Sequence, residues 1–143
     1  MSYNILNGFH SSDKLQKIDK RRLAAAKRII KSKKPDILSL IEANYWQSEM
    51  DYAKLFGFPY AARFNRGKLR ERGSLVLSRF PIQNTFSTED YLYHYSHVQI
   101  TIKNKKIWVT TVHPHPQLSE KKKLTFFNKL LNDLSPGPRI IIG

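Results

Sequence analysis

Three polar residues stand at the ends of predicted apolar strands, where layered α/β proteins assemble their active sites. Asn4 lies in the first strand, Glu42 ends the second, and His113 ends a later one. A carboxylate at the end of a buried strand requires an ion pair, hydrogen bonds or a bound metal ion. Glu42 is therefore a candidate metal ligand, and a salt bridge to a nearby Arg or Lys is the structural alternative. Ser78-Arg79 closes a further apolar strand.

His113 has two interpretations, because a histidine at a strand end can be structural or catalytic. The nearby His115 suggests a zinc pair. However, Pro114 stiffens the backbone between the two imidazoles, and no further ligand stands at the spacing of a zinc site. We therefore predict no zinc site. The absence of cysteine excludes disulfides, thiolate metal sites and a cysteine nucleophile, and we expect a cytoplasmic protein.

The net charge predicts a polyanionic partner. The chain has 25 Lys and Arg against 11 Asp and Glu, a net charge of +14, and such a field concentrates phosphates around a protein. We expect nucleic acid or another phosphate-rich substrate as the partner, while membrane surfaces and acidic proteins respond to the same field. No apolar run approaches the ~20 residues of a membrane-spanning helix, and the N-terminus lacks the pattern of a secretory signal. We expect a monomer.

Basic residues concentrate in two stretches of the sequence. Residues 14–34 contain one acid among many lysines and arginines, and in a helix most of these lie opposite an apolar face, so a solvated helix face is the plain interpretation. Residues 63–72 show no helical apolar stripe and include Gly67, so they predict a mobile basic loop. Phosphate binding and a solvating role are both open for that loop, whose candidate substrate contacts are Arg66, Arg70 and Arg72.

Hydrophobic periodicity in the first half predicts alternating strands and helices. A strand at residues 3–6 leads through a polar stretch to a basic helix that Pro35 ends, since proline cannot continue a helix. An unbroken apolar run at 37–41 is typical of a buried strand, and a second helix is predicted over 46–56. The apolar face of the first helix comprises Leu15, Ile18, Leu23, Ala25, Ala26, Ile29 and Ile30.

The second half predicts more sheet and one more helix. Strands are expected at 59–64 and 74–80, on either side of the basic loop. Alternating residues predict a half-exposed strand at 98–102, with 107–112 as its hairpin partner. A final strand is expected at 140–142. Before it comes a helix starting at Ser119, with a buried stripe of Leu124, Phe127, Leu130, Leu131 and Leu134.

These elements predict one domain of class α/β (α+β), with sheet between helices. Tyr91, Tyr93 and Tyr95 alternate along the chain. That spacing is typical of sheet packing, and base stacking is the alternative.

Five segments in chain order resemble the endonuclease/exonuclease/phosphatase family. Each is a weak signal by itself, but together they span essentially the whole chain, with helices between them. The resemblance implies a four-layer α/β/β/α sandwich and hydrolysis of phosphate esters with Mg²⁺ or Mn²⁺. The matching segments are residues 3–8, 35–42, 73–82, 109–113 and 140–143.

The resemblance also implies roles for the three strand-end residues. Asn4 and Glu42 match the Asn and Glu at the family's metal site. His113 matches the histidine that contacts the scissile phosphate or stabilises its transition state. Two positions depart from the family's pattern: Ile41 stands where Gln usually precedes the Glu, and Leu6 stands where abasic-site endonucleases often have an acid.

The family's Gly-Asp-x-Asn motif would begin at Gly143. We therefore expect residues 1–143 to be a single, C-terminally truncated domain, a partial sandwich that lacks activity by itself. The expected function of the parent protein is that of a metal-dependent phosphoesterase, and its charge favours a nuclease. The alternatives are an inositol or lipid phosphate phosphatase of the same family, a basic nucleic-acid-binding module without chemistry, and a fragment that does not fold alone.

Overall fold

The computed structural model describes residues 1–11, 14–43, 49–66, 69–88, 94–114 and 117–143. Across these residues two four-stranded sheets pack face to face, and helices cover the outer face of each. The layer order is α/β/β/α. The predicted layered α/β fold is confirmed.

The first sheet carries two of the predicted site residues. Its strand order is β1 (Ser2–Asn4), β4 (Ile37–Ala43), β6 (Leu69–Ser78) and β5 (Tyr60–Arg66). β1 runs parallel to β4, and the other neighbours are antiparallel. Helices α2 (Lys20–Lys33) and α3 (Glu49–Phe56) cover its outer face. The buried core there includes Ala26, Ile30, Leu38, Leu40, Tyr52, Leu75 and Leu77.

A short connection joins β1 to α2. It contains the one-turn helix α1 (Leu6–Phe9) and a ribbon of β2 (His10–Ser11) with β3 (Lys14–Ile18). The backbone of Phe9 accepts a hydrogen bond from Asp19 N at 2.7 Å. This bond holds the start of α2 beside the end of β1.

The second sheet has the order β10 (Arg139–Ile142), β9 (Lys105–Val112), β8 (Tyr95–Ile102) and β7 (Ile82–Ser87). β8 and β9 form the predicted hairpin. Lys103 and Asn104 both have positive φ, +47° and +63°, which is the backbone of a tight two-residue hairpin turn. Helix α4 (Glu120–Asn132) covers the outer face of this sheet. The sequence did not predict β7.

The space between the sheets changes character along the strands. Toward the first residues of β4 it is filled by apolar side chains, among them Val76, Val98 and Ile100. Toward the last residues of β4 it contains buried hydroxyls: Ser74, the partner of Ile41, has its Oγ 3.1 Å from Ser96 Oγ. We call this second part the hydroxyl layer. It lies beneath the strand ends that carry Asn4 and Glu42.

The predicted basic helix is wrong at its N-terminal end, because residues 14–18 form β3. The helix begins after Asp19, whose carboxylate accepts hydrogen bonds from the backbone N–H of Arg21 and Arg22 at 2.9 and 3.1 Å. A capping side chain fixes such a boundary, since it satisfies N–H groups that have no partner inside the helix. Leu15 and Ile18 therefore belong to a strand and not to the helical face. The helix ends before Pro35, as predicted.

The predicted mobile loop at residues 63–72 is also wrong. β5 runs to Arg66 and β6 begins at Leu69, and these two residues are cross-strand partners. The connection between the strands is short, so backbone pairing continues almost to the tip of the hairpin.

The predicted half-exposed strand, β8, is buried on both faces. His97 and Gln99 are 4% and 9% exposed. His97 Nδ1 lies 2.9 Å from Thr110 Oγ1, and Gln99 Oε1 accepts a hydrogen bond from Asn84 Nδ2 at 2.8 Å. Because neighbouring strands supply these partners, polar side chains can be buried here.

The predicted apolar stripe of α4 is only partly buried. The helix directs Phe126 and Leu130 toward Tyr95 of β8, and this is the side that the sheet covers. Leu134 is partly buried. The other apolar side chains of α4 and β10 form an exposed surface, and exposed apolar surface promotes self-association. It consists of Leu124 (63% exposed), Phe127 (44%), Leu131 (59%), Ile140 (44%) and Ile141 (50%).

The remaining predictions have mixed outcomes. Tyr95 is fully buried and its ring packs against Phe126 at 5.8 Å, which confirms sheet packing for that tyrosine. Tyr91, Tyr93 and the predicted start of the second helix at Trp46 lie outside the described residues. Among the helices that the structure describes, none combines the length and apolar character needed to cross a membrane.

Candidate active site

Asn4, Glu42 and His113 come together at one end of the sandwich. Glu42 Oε1 accepts a hydrogen bond from Asn4 Nδ2 at 3.1 Å and lies 3.4 Å from His113 Nε2. The parallel pairing of β1 and β4 places Asn4 opposite Ile41, while His113 arrives from the second sheet, directly after β9. The site therefore bridges the two sheets, as strand-end reasoning requires.

The backbone at Glu42 is unusual and places its side chain at this junction. The β4–β6 register shifts between Ile41, which pairs with Ser74, and Ala43, which pairs with Gly73. Glu42 is the extra residue of this β-bulge, and its φ of +58° lies in the left-handed region. In a regular strand, alternation would turn Glu42 toward the helices, on the side of Leu40. Instead Ala43 joins the core beneath the helices, and the Glu42 side chain reaches His113.

A left-handed conformation costs a non-glycine residue about 1–3 kcal/mol. Bulges and backbone strain of this kind occur frequently next to active sites, where they direct a side chain. The strained position coincides with the candidate metal ligand. Nothing in the residue types around Glu42 predicts the bulge, because glutamate has no preference for positive φ.

Buried polar groups next to the site connect the segments that carry its residues. The backbone N–H of His113 donates to the carbonyl oxygen of His94 at 3.2 Å. His94 Nε2 lies 3.2 Å from Ser74 Oγ, which in turn lies 3.1 Å from Ser96 Oγ. His94 is 1% exposed and links the strand next to Glu42 with the segment that carries His113. Sequence reasoning missed this residue, since an isolated histidine before a strand carries no signal of such a role.

The donor atoms of the site fit a divalent cation such as Mg²⁺ or Mn²⁺. The carboxylate of Glu42 and the amide oxygen of Asn4 are hard oxygen ligands, and Mg²⁺ commonly binds through one or two protein groups while retaining water and taking up substrate phosphate. Over the described ranges, no group of three or more His, Cys, Asp or Glu side chains could hold a metal by itself. Glu42 and Asn4 would therefore supply only part of the ligand set of such an ion.

The other predicted site residues are only partly located. Arg66, Arg70 and Arg72 lie in β5 and β6, and β6 continues past Gly73, the partner of Ala43. Their backbones are therefore at the same end of the first sheet as Glu42. Their side chains and His115 are outside what the structure describes, so substrate binding by the arginines and the absence of a zinc pair remain predictions.

His97 has a strongly perturbed pKa, and its environment identifies it as structural. Burial, reinforced by the positive charge of Arg139, lowers the pKa of His97 to about 4, so the imidazole is neutral near pH 7. Its ring stacks on Phe86 at 5.7 Å. The residue lies on the outer face of the second sheet and not at the junction between the sheets. A perturbed pKa without convergent catalytic groups does not indicate an active site.

Comparison with known proteins identifies the family that the sequence matches. The sequence matches the Endonuclease/Exonuclease/phosphatase family over residues 1–143. No curated protein sequence matches the chain.

Several solved structures share the fold. An endonuclease/exonuclease/phosphatase family protein from Leptotrichia buccalis superimposes with a TM-score of 0.68 at 12% identity, covering 98% of this chain and 64% of its own. A family protein from Beutenbergia cavernae gives 0.74 at 15% identity, covering 98% and 45%. TDP2 from D. rerio, complexed with a single-strand DNA product, gives 0.56 at 17% identity, covering 86% and 53%.

These structural likenesses, all at low identity, establish the fold alone. The chain spans less than two thirds of the length of the structures it resembles. The sequence match covers every residue of the chain, including Asn4, Glu42 and His113. The chain belongs to the endonuclease/exonuclease/phosphatase family.

Proposed function

We propose that Asn4, Glu42 and His113 form the divalent-metal and phosphate site of a phosphoesterase that cleaves phosphodiester bonds in nucleic acid. The observation that supports this most is the position of Glu42 Oε1, between the amide of Asn4 and the imidazole of His113. A carboxylate, an amide oxygen and an imidazole are the groups expected around a cation and a phosphate.

Each residue has a distinct proposed role. Glu42 and Asn4 would hold Mg²⁺ or Mn²⁺, and such an ion supplies neutralisation of the charge that develops on phosphoryl oxygens. His113 would donate a hydrogen bond from Nε2 to a non-bridging phosphate oxygen. Its backbone bond to His94 fixes the position of the segment that carries it. The bulge keeps the Glu42 carboxylate pointed at this site without rearrangement.

Nucleic acid is the proposed substrate because of charge. The net charge of +14 attracts phosphate polymers, and the arginine-bearing hairpin of β5 and β6 extends beyond the bulge. The relative from D. rerio is itself described with a single-strand DNA product. We also propose that the protein acts as a monomer in the cytoplasm.

We further propose that residues 1–143 do not turn over substrate by themselves. The Glu42 carboxylate is already engaged by Asn4 and His113, and among the described residues no group of three or more His, Cys, Asp or Glu side chains could hold a metal ion. Metal binding and catalysis therefore need separate tests.

The experiment that tests the metal site is a Mn²⁺ titration followed by water-proton relaxation. The wild type is compared with Glu42→Gln and with the matched control Asp36→Asn, which removes an exposed carboxylate at the opposite end of the same strand. We expect Glu42→Gln to weaken Mn²⁺ binding by about tenfold or more, because it removes the anionic ligand. Asp36→Asn should leave binding unchanged.

Equal Mn²⁺ affinity in the wild type and Glu42→Gln would contradict the proposed function. A separate assay offers plasmid DNA, RNA and phosphoinositides to the chain with Mg²⁺. We expect no turnover. Hydrolysis that Glu42→Ala abolishes would overturn the proposed inactivity, and hydrolysis of phosphoinositides alone would overturn the proposed substrate.

A further inference from the structure

A second concave surface lies at the opposite end of the first sheet. It is a groove of about 510 Å³ between α2, α3 and the end of β6, and its floor is formed by Ile30, Leu55 and Phe56. Five exposed basic residues surround this floor. We call it the basic groove; its cations are Lys27, Lys31, Lys34, Lys54 and Arg79.

The charges of the basic groove are not neutralised within the described part of the chain. The ion pairs there involve other residues, Glu42 with His113 and Asp133 with Lys129. Arg79 is held by the carbonyl oxygen of Pro35 at 3.3 Å and by the ring of Phe58 at 5.3 Å, neither of which carries a negative charge. Five like charges around one concavity favour an anionic partner from outside the molecule.

The cations come from three separate elements. Lys54 belongs to α3, Arg79 follows β6, and the remaining three belong to α2 and its C-cap. A merely solvated helix face would place its lysines on one helix and away from other elements. Here the fold gathers cations from distant parts of the sequence around an apolar floor.

The basic groove is also connected to the candidate active site. Lys20, Lys27, Lys31 and Lys34 follow one another along one side of α2, with spacings of seven, four and three residues. At a rise of about 1.5 Å per residue this stripe is about 21 Å long. Its first residue lies at the helix start that hydrogen bonds tie to Ile5 and Phe9, next to Asn4.

We propose that the basic groove and the α2 stripe bind the phosphate backbone of a single nucleic-acid strand, as an exosite that holds the substrate away from the bond being cut. This proposal rests on the proposed function and names how the substrate is held. A stripe of about 21 Å matches a chain of phosphates and exceeds one phosphate group. A concave floor suits a strand, whereas a flat membrane surface could not reach it.

The experiment measures binding without catalysis. Fluorescence anisotropy of a labelled single-stranded oligonucleotide is recorded in EDTA between about 50 and 200 mM KCl. The groove variant Lys27→Gln/Lys31→Gln/Lys54→Gln is compared with Lys121→Gln/Lys122→Gln/Lys123→Gln at the start of α4. Both triple variants remove three positive charges from exposed helical sites, so they have the same net charge.

We expect the groove variant to lose about tenfold or more in affinity, and its salt slope to fall by about two, since each phosphate contact on a single strand contributes about 0.7. The α4 variant should lose much less and keep its slope. Equal losses in the two variants would overturn the exosite, because net charge alone would then explain binding. Groove-dependent binding to vesicles containing phosphatidylserine, without groove-dependent binding of the strand, would overturn it too.

A second measurement uses only the wild type, so its result does not depend on whether the variants fold. Lysine acetylation is mapped by mass spectrometry with and without the oligonucleotide. We expect protection of Lys27, Lys31 and Lys54 and none of Lys121 or Lys122, whereas uniform labelling would contradict the proposal. The groove variant should bind Mn²⁺ like the wild type in the relaxation titration, so a failed metal site and a failed exosite give different results.

Discussion

The two ends of the first sheet differ in whether their charged side chains have partners within the protein. At the end that carries Glu42, a carboxylate lies within 3.1 Å of an amide and 3.4 Å of an imidazole. At the end that carries Arg79, cations surround a groove with no carboxylate among the described residues close enough to pair with them. At the first end, which we call the organised end, the polar groups contact one another. At the second end the positive charge would be neutralised by a bound partner.

This difference suggests how binding and chemistry are divided. Catalytic groups must be held in fixed positions, and hydrogen bonds between them and to their supporting strands achieve this. Electrostatic capture of a polyanion needs charge density more than fixed geometry. The strained backbone at Glu42 and the like charges along α2 are therefore two different costs in stability, each at a site with a proposed function.

The largest expected effect is a loss of folding stability in acid. It tests whether either end of the first sheet controls that loss. Burial lowers the pKa of His97 to about 4, below its ordinary value of 6.5, so the unfolded state binds a proton between these values and the folded state does not. Stability is fully present above about pH 6.5 and is lost as pH falls toward 4, by about 3 kcal/mol. Urea unfolding across this range should show the loss in the wild type.

His97→Phe should remove most of this pH dependence, whatever its stability at neutral pH. Lys27→Glu, in the basic groove, should retain it. If His97→Phe kept the wild-type slope, the acid sensitivity would have to arise elsewhere, with the two ends of the first sheet as the next candidates.

A smaller effect is expected from strain at the organised end. Glu42→Gly and Glu42→Ala both remove the carboxylate, but only glycine adopts a φ of +58° without steric cost. We expect Glu42→Gly to be more stable than Glu42→Ala by about 1 kcal/mol, measured by chemical denaturation. At Asp36, whose φ is not positive, the order should reverse. The same order at both positions would show that Glu42 is not strained in solution.

The smallest effect is expected at the basic groove. Lys27 and Lys31 are like charges one helical turn apart, so Lys27→Glu replaces a repulsion by an attractive pair. We expect a gain of about 0.5 kcal/mol at low salt that disappears at high salt, read from thermal unfolding at two ionic strengths. A loss of stability, or a gain that salt does not alter, would argue against unneutralised charge at this end.

The organised end was largely predictable from sequence. Polar residues at the ends of apolar strands pointed to Asn4, Glu42 and His113, and the pairing of β1 with β4 brings the first two together. The bulge was not predictable, because it arises from the register between β4 and β6 and not from the residue type. His94 was missed for the same reason: its role depends on contacts with Ser74 and His113.

The basic groove was less predictable. The lysines of α2 were interpreted as a solvated face, since periodicity shows which side of a helix is polar but not what lies beside it. Lys54 and Arg79 join them only through tertiary packing. The same limit explains α4, where periodicity identified Leu124 and Leu131 as apolar but could not show which side the sheet covers.

Asn4, Glu42 and His113 surround one proposed cation-binding position. The most direct test is NMR of the histidine imidazoles during addition of substoichiometric Mn²⁺, which broadens resonances of nearby nuclei. We expect early, selective broadening of the His113 resonances in the wild type and loss of that broadening in Glu42→Gln, with His97 unaffected in both. Broadening of all histidines alike, or of His113 equally in both proteins, would contradict it.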